Sequence, residues 1–368
     1  MKKQTLYEKI NNDLLLDIKN GVYKVGMRVP TEKELSEEYS VSRITSKKAL
    51  DKLAEQGIIN RIPGKGSFVA DANVHSLFQD TAEAKEGILI GVIMDGFGAS
   101  YGYEILHGII QECRNHNANF ILRLTYGSKE EETNAINELI ALGVSGIVIM
   151  CVHDENYNAT LLKYAVEKFP IVSIDRRMKG VPVSYVGTDN HKAAKDLTSV
   201  LLDKGYDNIC FVSHMLMDTS TISDRRAGFI ESHLEHGLIT NPSSWITDLK
   251  STLPSYRSEE VVEEDIVRVR NFIQENDHIQ AFFVLEYDIA TIIYKVLREL
   301  KLEERLPIVC FDGIGNIVND VKFTHVKQDE TGIGAKSVAL LMDKMKGDRS
   351  VETILVPHKI ILANEFAD

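Results

Sequence analysis

Seven polar, charged or aromatic side chains follow short apolar segments, or begin a helix-like segment, in the last three quarters of the chain. They are Asp95, Asp175, Arg176, Arg225, Glu286, Tyr287 and Asp312. Carboxylates accept hydrogen bonds, Arg donates through a planar fork, and Tyr offers an aromatic face, which together suit a polyhydroxylated ring. The alternative is structural: Asp175 or Asp312 caps a turn, and Arg225 pairs with Asp224 or Glu231 on a helix surface.

A second set of hydroxyl, cationic and glycine residues lies within the first 70 residues, at predicted helix starts and in a glycine-rich turn. These residues are Thr31, Lys33, Ser42, Arg43, Thr45, Lys47, Lys65 and Gly66. Cations, hydroxyls and backbone amides are the groups that contact phosphates and base edges in nucleic acids. The alternative for any single cation among them is an ordinary solvated helix face.

The local sequence predicts the elements that carry this second set. Thr31 and Glu34 have the spacing of a capping box, so a helix is expected over about residues 31–39. Ser42 is a favourable N-cap for a further helix that ends near Gly57. Residues 58–62 and 67–69 are predicted as two strands, joined by the turn 63–66 that contains two glycines.

Residues 4–70 resemble the GntR-type winged helix-turn-helix family. The resemblance is carried by Pro30-Thr31-Glu32, by Ser42-Arg43-Ile44-Thr45, and by Gly64-Lys65-Gly66-Ser67-Phe68-Val69, in that order. It implies that residues 1–70 form a domain that binds double-stranded operator DNA. Lys33 and Lys47 stand where relatives usually have Arg, and Lys lacks the planar fork that grips guanine, so a different base preference is expected.

The distribution of charged residues also separates residues 1–70 from the rest of the chain. Residues 1–70 contain 13 Lys and Arg against nine Asp and Glu, whereas the other 298 residues contain 29 against 45. An acidic protein still binds DNA when its positive charge is local, because only the docked face contacts phosphates.

The chain gives no indication of export or of metal chemistry. An amphipathic helix with Leu6, Ile10, Leu14 and Ile18 follows the basic first residues, and no apolar segment approaches the roughly 20 residues of a membrane helix. We therefore expect a cytoplasmic protein with no membrane partner. The four cysteines are widely spaced, which favours buried thiols over a metal site or disulfides, and no cofactor is expected.

Residues 71–87 show no sustained periodicity and are predicted to be a linker. From residue 88 to residue 368 short β-branched segments alternate with longer amphipathic ones, which indicates an α/β fold with parallel sheets covered by helices. The predicted strands are 88–94, 120–124, 146–151, 171–174, 184–186, 209–213, 281–285 and 307–311. The predicted helices are 103–116, 130–142, 159–169, 191–204, 223–236, 259–274 and 288–300.

This region resembles the LacI/GalR effector-binding fold, which is related to periplasmic sugar-binding proteins. The resemblance is carried by Val172-Ser173-Ile174-Asp175-Arg176, Val186-Gly187-Thr188-Asp189-Asn190, Leu202-Asp203-Lys204-Gly205, Arg225-Arg226-Ala227-Gly228-Phe229, Ile308-Val309-Cys310-Phe311-Asp312 and Phe323-Thr324-His325-Val326-Lys327-Gln328. A GntR-type domain joined to such a fold is the combination of the arabinose repressor family. It implies two lobes, about 88–184 and 185–320, a crossing C-terminal segment, a homodimer and a ligand cleft between the lobes.

The resemblance also implies a repressor of sugar-utilisation genes that a monosaccharide such as L-arabinose releases from DNA. In it, Arg225 and Asp312 match the effector-contacting residues of the family. Glu286-Tyr287 replaces a common Asn-Asp, which removes a donor and adds an acceptor, so a neutral sugar is favoured over an anionic sugar acid. An activator, or a regulator that responds to another sugar or to a sugar phosphate, is the alternative.

An enzyme is the competing class. Gly96-Phe97-Gly98 has Tyr101 where a dinucleotide-binding fingerprint needs its third glycine. Gly332-Ile333-Gly334-Ala335-Lys336 lacks the spacing of a phosphate-binding loop, and no strand is predicted directly before it. His214, His233 and His236 lack a helical spacing for metal ligands. The sequence therefore predicts a protein that is not an enzyme.

Overall fold

The computed structural model describes residues 5–19, 21–70, 87–152, 158–215, 219–314 and 322–363. The chain forms two compact units, Met1–Glu86 and Gly87–Asp368. The predicted linker, apart from Gly87, lies outside the described residues.

The N-terminal unit contains three helices followed by a hairpin: α1 (Leu6–Lys19), α2 (Glu32–Glu38), α3 (Arg43–Glu55), β1 (Ile59–Ile62) and β2 (Gly66–Val69). The capping box predicted for α2 is confirmed, because the Thr31 hydroxyl accepts from the Glu34 amide while the Glu34 carboxylate accepts from the Thr31 amide. Ser42 caps α3 as predicted, accepting from the amide of Thr45. Each cap satisfies a backbone donor that the helix itself leaves unpaired.

The hairpin is antiparallel and pairs Ile59 with Val69 and Ile62 with Gly66. Gly64 and Gly66 have φ values of +76° and +116°, which glycine adopts without the steric cost that other residues meet. The predicted wing is therefore confirmed. The unit is held by a common core that includes Ile10, Leu14 and Ile18 of α1, whereas Leu6 at the start of that helix is exposed.

The C-terminal unit consists of two six-stranded sheets. The first has the order β13-β7-β6-β5-β3-β4 and the second the order β14-β12-β11-β10-β8-β9. The strands are β3 (Ile88–Met94), β4 (Ala118–Leu124), β5 (Ile147–Ile149), β6 (Ile171–Ile174), β7 (Ser184–Thr188), β8 (Ile209–His214), β9 (Ile246–Leu249), β10 (Ala281–Val284), β11 (Ile308–Phe311), β12 (Thr324–Gln328), β13 (Thr353–Val356) and β14 (His358–Ile361). The strand pairs are parallel except for β12 with β14, which confirms the predicted parallel sheets.

Helices cover both sheets. They are α4 (Tyr103–Asn115), α5 (Lys129–Ala141), α6 (Ala159–Val166), α7 (Asn190–Leu202), α8 (Ser220–Glu235), α9 (Glu259–Glu275), α10 (Tyr287–Leu300) and α11 (Glu330–Met345). Two apolar clusters flank each sheet, one on either face. All four cysteines are buried free thiols, as predicted.

The chain passes between the two sheets three times: after β7, after β12, and between β13 and β14. This corrects the lobe boundary expected at residues 184/185. Strand β7 pairs with β6, so the first lobe continues to Thr188 before the chain crosses. The prediction was wrong because an apolar strand has the same appearance whichever sheet accepts it.

The segment Gly332–Lys336 lies inside helix α11, and a strand does precede it, contrary to expectation. Strand β12 ends at Gln328, Asp329 caps the helix, and α11 begins at Glu330. A Cβ on Gly334 would come within 2.1 Å of the Ile105 carbonyl oxygen of α4. This glycine therefore allows two helices to pack closely, which is a structural use rather than phosphate binding.

No helix in the part of the chain that the structure describes combines the length and the apolar character required to cross a bilayer.

Candidate DNA-contact face and interlobe cleft

The predicted DNA-contact residues of helix α3 lie at its N-terminal end. Ser42, Arg43 and Lys47 are exposed, while Thr45 is half-buried and its hydroxyl lies 2.9 Å from that of Ser42. Among the described residues, no ion pair engages Arg43 or Lys47. Their charges are therefore unopposed at the end of the helix that a helix-turn-helix inserts into the major groove.

The remaining members of the set lie on α2 and the wing. Thr31 is half-buried as the cap of α2, and Lys33 is exposed and pairs with Glu37 at 3.8 Å. Lys65 is exposed at the tip of the wing, and Gly66 lies against the side chain of Arg28. The basic wing tip that the sequence predicts is present in the structure.

Two further residues of this face were not singled out by the sequence. Arg61 of the wing is engaged internally, because its guanidinium pairs with Glu32 of α2 and Asp51 of α3. Ile44 is 80% exposed between Arg43 and Thr45. An exposed apolar side chain at the start of such a helix has the chemistry to contact a thymine methyl group. Its position two residues after the Ser42 cap was the signal that could have found it.

The six residues predicted from strand ends, together with Arg225, which was predicted from the family resemblance, line one cavity of about 550 Å³ between the two lobes of the C-terminal unit. Asp95 follows β3 and Asp175 follows β6 in the first lobe, and Asp312 follows β11 in the second. The cavity therefore lies at the carboxyl ends of both sheets, where open α/β folds bind ligands. We name it the interlobe cleft.

The wall formed by the first lobe is an ion-pair network centred on Arg176. Its guanidinium lies 2.8 Å from a carboxylate oxygen of Asp95 and 3.8 Å from one of Asp175, and it donates to the Cys151 carbonyl at 2.8 Å. The Tyr101 hydroxyl donates to Asp175 at 2.6 Å. Burial of Arg176 opposes its charge, but the two carboxylates beside it outweigh that effect and raise its pKa. A guanidinium so placed stays charged.

The wall formed by the second lobe is built differently around Arg225. This buried side chain donates to Asn190 Oδ1 and to the Leu285 carbonyl, each at 2.8 Å, and its guanidinium carbon lies 3.7 Å from the centre of the Phe311 ring. The structural alternative raised for Arg225, a pair with Asp224 or Glu231, is wrong. Asp224 pairs with Arg177, and Glu231 pairs with Lys195 and His191.

Asp312 connects the second wall to the crossing segments. It accepts from the Gln328 side-chain amide at 2.9 Å, and Gln328 in turn accepts from the Thr188 hydroxyl at 2.6 Å. Thr188 and Gln328 end the strands after which the chain crosses between lobes. Asp312 is therefore one hydrogen bond from the crossing after β12 and two hydrogen bonds from the crossing after β7.

Asp175 and Asp312 occupy equivalent backbone conformations, with φ values of +60° and +64°. Residues other than glycine adopt this left-handed region rarely, although Asp and Asn tolerate it best. Backbone strain of this kind concentrates at ligand sites.

Three carboxyl groups in and around the cleft have raised pKa values. Burial, with a contribution from the neighbouring Asp288, raises the pKa of Glu286 to about 7. Burial raises the pKa of Asp312 to about 7, although Arg225 and the Gln328 amide oppose the shift. Burial likewise raises the pKa of Glu330 to about 7. His214, 3.2 Å from Glu286, has its pKa lowered to about 4 by burial and by Arg176 and Arg225.

Tyr287 lines the cleft but also contributes to the core, since its ring centre lies 5.6 Å from that of Phe323. The sequence did not single out several other lining residues, which are Phe97, Tyr101, Tyr126, His214, Thr221 and Arg257. Phe97 and Tyr101 come from the loop after β3, whose glycines were examined only for nucleotide binding. They could have been found from their place directly after a strand end, as Asp95 was.

Two family descriptions match the chain. Residues 6–69 match bacterial regulatory proteins of the gntR family. Residues 90–349 match the periplasmic binding protein domain.

The chain is similar over nearly its whole length to two proteins named arabinose metabolism transcriptional repressor. The one from Halalkalibacterium halodurans is 23% identical, over 99% of this chain and 97% of the relative. The one from Geobacillus stearothermophilus is 25% identical, over 96% of this chain and 95% of the relative.

Among solved structures, a putative ribose operon repressor from Burkholderia thailandensis shares the fold, with a TM-score of 0.63 and 17% identity over 75% of this chain and 99% of that one. The structure agrees with these matches. Its first unit has capped helices and a wing, and its second unit has two mostly parallel sheets between which the chain crosses. The chain therefore belongs to the periplasmic binding protein domain family, and residues 6–69, ahead of that domain, match the gntR family of bacterial regulatory proteins.

Proposed function

We propose that this protein is a transcriptional repressor of sugar-utilisation genes that binds operator DNA as a homodimer and is released when a monosaccharide occupies the interlobe cleft. The observation that carries the proposal is the convergence of six strand-end residues and Arg225 of α8 on one cleft, in a chain whose N-terminal unit is a winged helix. L-arabinose is the first candidate effector, because two relatives of nearly full length are named for arabinose metabolism.

The release follows from linkage between two binding sites. A sugar that prefers one arrangement of the lobes, while the operator prefers another, weakens DNA binding by the same factor by which DNA weakens sugar binding. The Asp312–Gln328–Thr188 hydrogen bonds support this role, since they join the cleft to both crossing strands.

A sugar phosphate is a weaker candidate than a sugar without a charged acidic group. The second wall holds Glu286 and Asp312, whose carboxyl groups are disfavoured as anions where they stand. A phosphate would add negative charge beside them, which costs binding free energy.

The test measures promoter-DNA binding of the full chain by fluorescence anisotropy, with and without each of a panel of monosaccharides. We expect one sugar to weaken DNA binding at least tenfold without being consumed, and to raise the stability of the C-terminal unit by about 2.7 kcal/mol at 100 times its Kd. If no sugar changes either the DNA affinity or the melting temperature, sugar sensing is wrong.

The DNA face is tested by Arg43→Ala and Lys65→Ala. Each change should weaken operator binding and reduce the slope of log affinity against log salt by about one unit, because each removes one phosphate contact. Lys346→Ala, at the exposed lysine that follows the C-terminal end of α11, is the matched control and should leave the slope unchanged. Slopes equal to wild type in both test variants would exclude this face.

The effector site is tested by Arg225→Ala and Asp312→Ala. Each should abolish the sugar response and leave operator affinity near wild type, since a lost charged hydrogen bond costs about 1.5–3 kcal/mol of sugar binding. Calorimetric titration of variants shown to be folded separates this from a structural role. Sugar affinity within twofold of wild type in both would remove these residues from the site.

A further inference from the structure

The lining of the interlobe cleft carries more acidic than basic groups. Its five carboxyl groups belong to Asp95, Asp175, Glu286, Asp288 and Asp312, and its three guanidinium groups belong to Arg176, Arg225 and Arg257. His214 does not offset the excess, because its lowered pKa of about 4 leaves the ring neutral near pH 7. The described lining therefore has an excess of two acidic groups.

The excess of acidic groups is not distributed evenly over the cleft. In the first lobe Arg176 lies within 3.8 Å of both Asp95 and Asp175. At the rim of the second lobe Arg257 pairs with Asp288 at 3.7 Å. Glu286 and Asp312 remain, and among the described residues no ion pair joins either of them to a guanidinium.

Arg225 is the buried cation of the same wall and attracts both carboxyl groups electrostatically. Its hydrogen bonds, however, are made with other groups. They end on the neutral oxygens of Asn190 and Leu285, and the guanidinium face covers the Phe311 ring. Arg225 therefore acts on Glu286 and Asp312 only through space, and its attraction is outweighed by their burial. Two carboxyl groups that influence each other's ionisation share one wall without a cation in contact.

Among the described residues, the opposite wall holds no acid without a guanidinium beside it, because Asp95 and Asp175 both lie close to Arg176. Its carboxylates and the Tyr101 hydroxyl line the cleft and can form hydrogen bonds with hydroxyl groups. The two walls thus suit a molecule that presents hydroxyl groups to the first lobe and a positive charge to the second.

We propose that the effector is an amino sugar or a related amino polyol, whose protonated amine binds between Glu286 and Asp312 and whose hydroxyl groups bind the first lobe. This inference rests on the proposed function, because it specifies the ligand of the same cleft. An ammonium group supplies the charge-assisted donors that both carboxyl groups lack, and its three hydrogens suit more than one acceptor.

The test uses isothermal titration of the full chain at pH 7.5 with sugars matched in ring and size. The pairs are D-glucosamine with D-glucose, D-galactosamine with D-galactose, and 4-amino-4-deoxy-L-arabinose with L-arabinose, and N-acetyl-D-glucosamine and N-acetyl-D-galactosamine are the uncharged nitrogen controls. We expect the amine to bind at least tenfold more tightly than both its neutral partner and its acetylated form in at least one series. Equal or tighter binding of the neutral sugar in every series that binds overturns the inference and leaves the proposed function standing.

If no member of any series binds or changes DNA affinity, both the inference and sugar sensing fail, so the two failures are distinguishable.

The responsible carboxyl groups are tested by Glu286→Gln and Asp312→Asn, which keep the size of each side chain and remove its charge. Each should reduce the preference for the amine over its neutral partner at least tenfold, because loss of the negative charge weakens binding of the amine more than binding of the neutral sugar. Asp343→Asn, an exposed acid of α11 outside the cleft, is the control for general charge.

A loss of amine preference in Asp343→Asn equal to that in the cleft variants would overturn the assignment, because it would show a long-range effect of net charge. Retention of the preference in both cleft variants would overturn it as well. Melting temperatures measured on the same samples exclude unfolding as the cause.

Discussion

The two walls of the interlobe cleft share the same backbone arrangement and the same types of charged residue, but they differ in which groups those charges contact. Each wall places an Asp in left-handed backbone directly after a parallel strand, Asp175 in the first lobe and Asp312 in the second. Each wall also contains one buried Arg. In the first wall the Arg contacts the acidic groups, whereas in the second it contacts neutral oxygens and an aromatic ring.

In the first wall the acidic groups therefore have a charged partner within the protein, whereas in the second wall they do not. Arg176 and its carboxylates form a charged network whose members stabilise one another, so this wall is expected to be rigid. Asp312 and Glu286 lack such a partner, and burial raises both pKa values to about 7. A ligand that supplies the missing partner would shift the balance between two lobe arrangements only by the part of its binding free energy that differs between them.

The largest expected effect comes from breaking the first wall. Asp95→Asn removes the charge that Arg176 contacts at 2.8 Å and leaves a buried guanidinium with only its more distant acid. We expect the free energy of unfolding of the C-terminal unit to fall by about 3 kcal/mol. Asp312→Asn, the matched change in the second wall, should alter it by less than about 1 kcal/mol at pH 7. Urea titration followed by circular dichroism measures both, and equal losses would contradict the comparison.

The second largest effect tests whether both lobes depend on the same kind of close helix packing at a glycine. A Cβ on Gly334 would lie 2.1 Å from the Ile105 carbonyl in the first lobe, and one on Gly228 would lie 2.1 Å from the His191 carbonyl in the second. Gly334→Ala and Gly228→Ala should each destabilise the protein by about 2 kcal/mol, because a helix must move away from its neighbour. Gly96→Ala, with open space around the new atom, is the control. A loss in only one lobe would show that the scaffolds differ.

The third effect is the pH dependence of the second wall. Asp312 has a folded-state pKa of about 7 against an ordinary value of 3.8, so between those values the folded protein binds more protons than the unfolded chain. Stability contributed by this group is fully present below pH 4 and is lost as the pH rises to about 7. Because solvent partly screens this half-buried carboxyl, the effect should be smaller than the roughly 4 kcal/mol that the full difference between the two pKa values represents, and Asp312→Asn should reduce the fall in unfolding free energy between pH 4 and pH 8 by about 1–2 kcal/mol. Parallel pH profiles for variant and wild type would contradict it.

The smallest effect is expected at the rim of the second wall. Arg257 and Asp288 form a pair at 3.7 Å with side chains 69% and 50% exposed. Solvent screens such pairs, so Arg257→Ala should change the free energy of unfolding by less than about 0.5 kcal/mol. A change above 1 kcal/mol in thermal denaturation would show that the rim, and not only the cleft floor, stabilises the second lobe.

Most helices and strands were predictable from the sequence because their signals are local. The capping box of Thr31 and Glu34, the Ser42 cap and the turn around Gly64 each depend on residues within a few positions of one another. The segments Ile88–Met94 and Ile171–Ile174 were predicted with their observed bounds, since a continuous β-branched segment has a clear beginning and end. Strands β9, β12, β13 and β14 were not predicted, because exposed or half-buried residues interrupt the apolar pattern in each of them.

The sequence by itself determined which side chains stand at strand ends, because the carboxyl end of a parallel strand is read from the last apolar residue before a polar one. That rule predicted that Asp95, Asp175, Glu286 and Asp312 follow strands, whereas the interlobe cleft that they line was implied by the resemblance to the LacI/GalR fold. Only the tertiary structure decided which acid has a cation beside it. Arg176 contacts Asp95 across 81 positions of sequence, and Arg225 contacts Leu285 across 60. Contacts at such separations depend on which sheet each strand joins and where the chain crosses, and no local pattern contains that information.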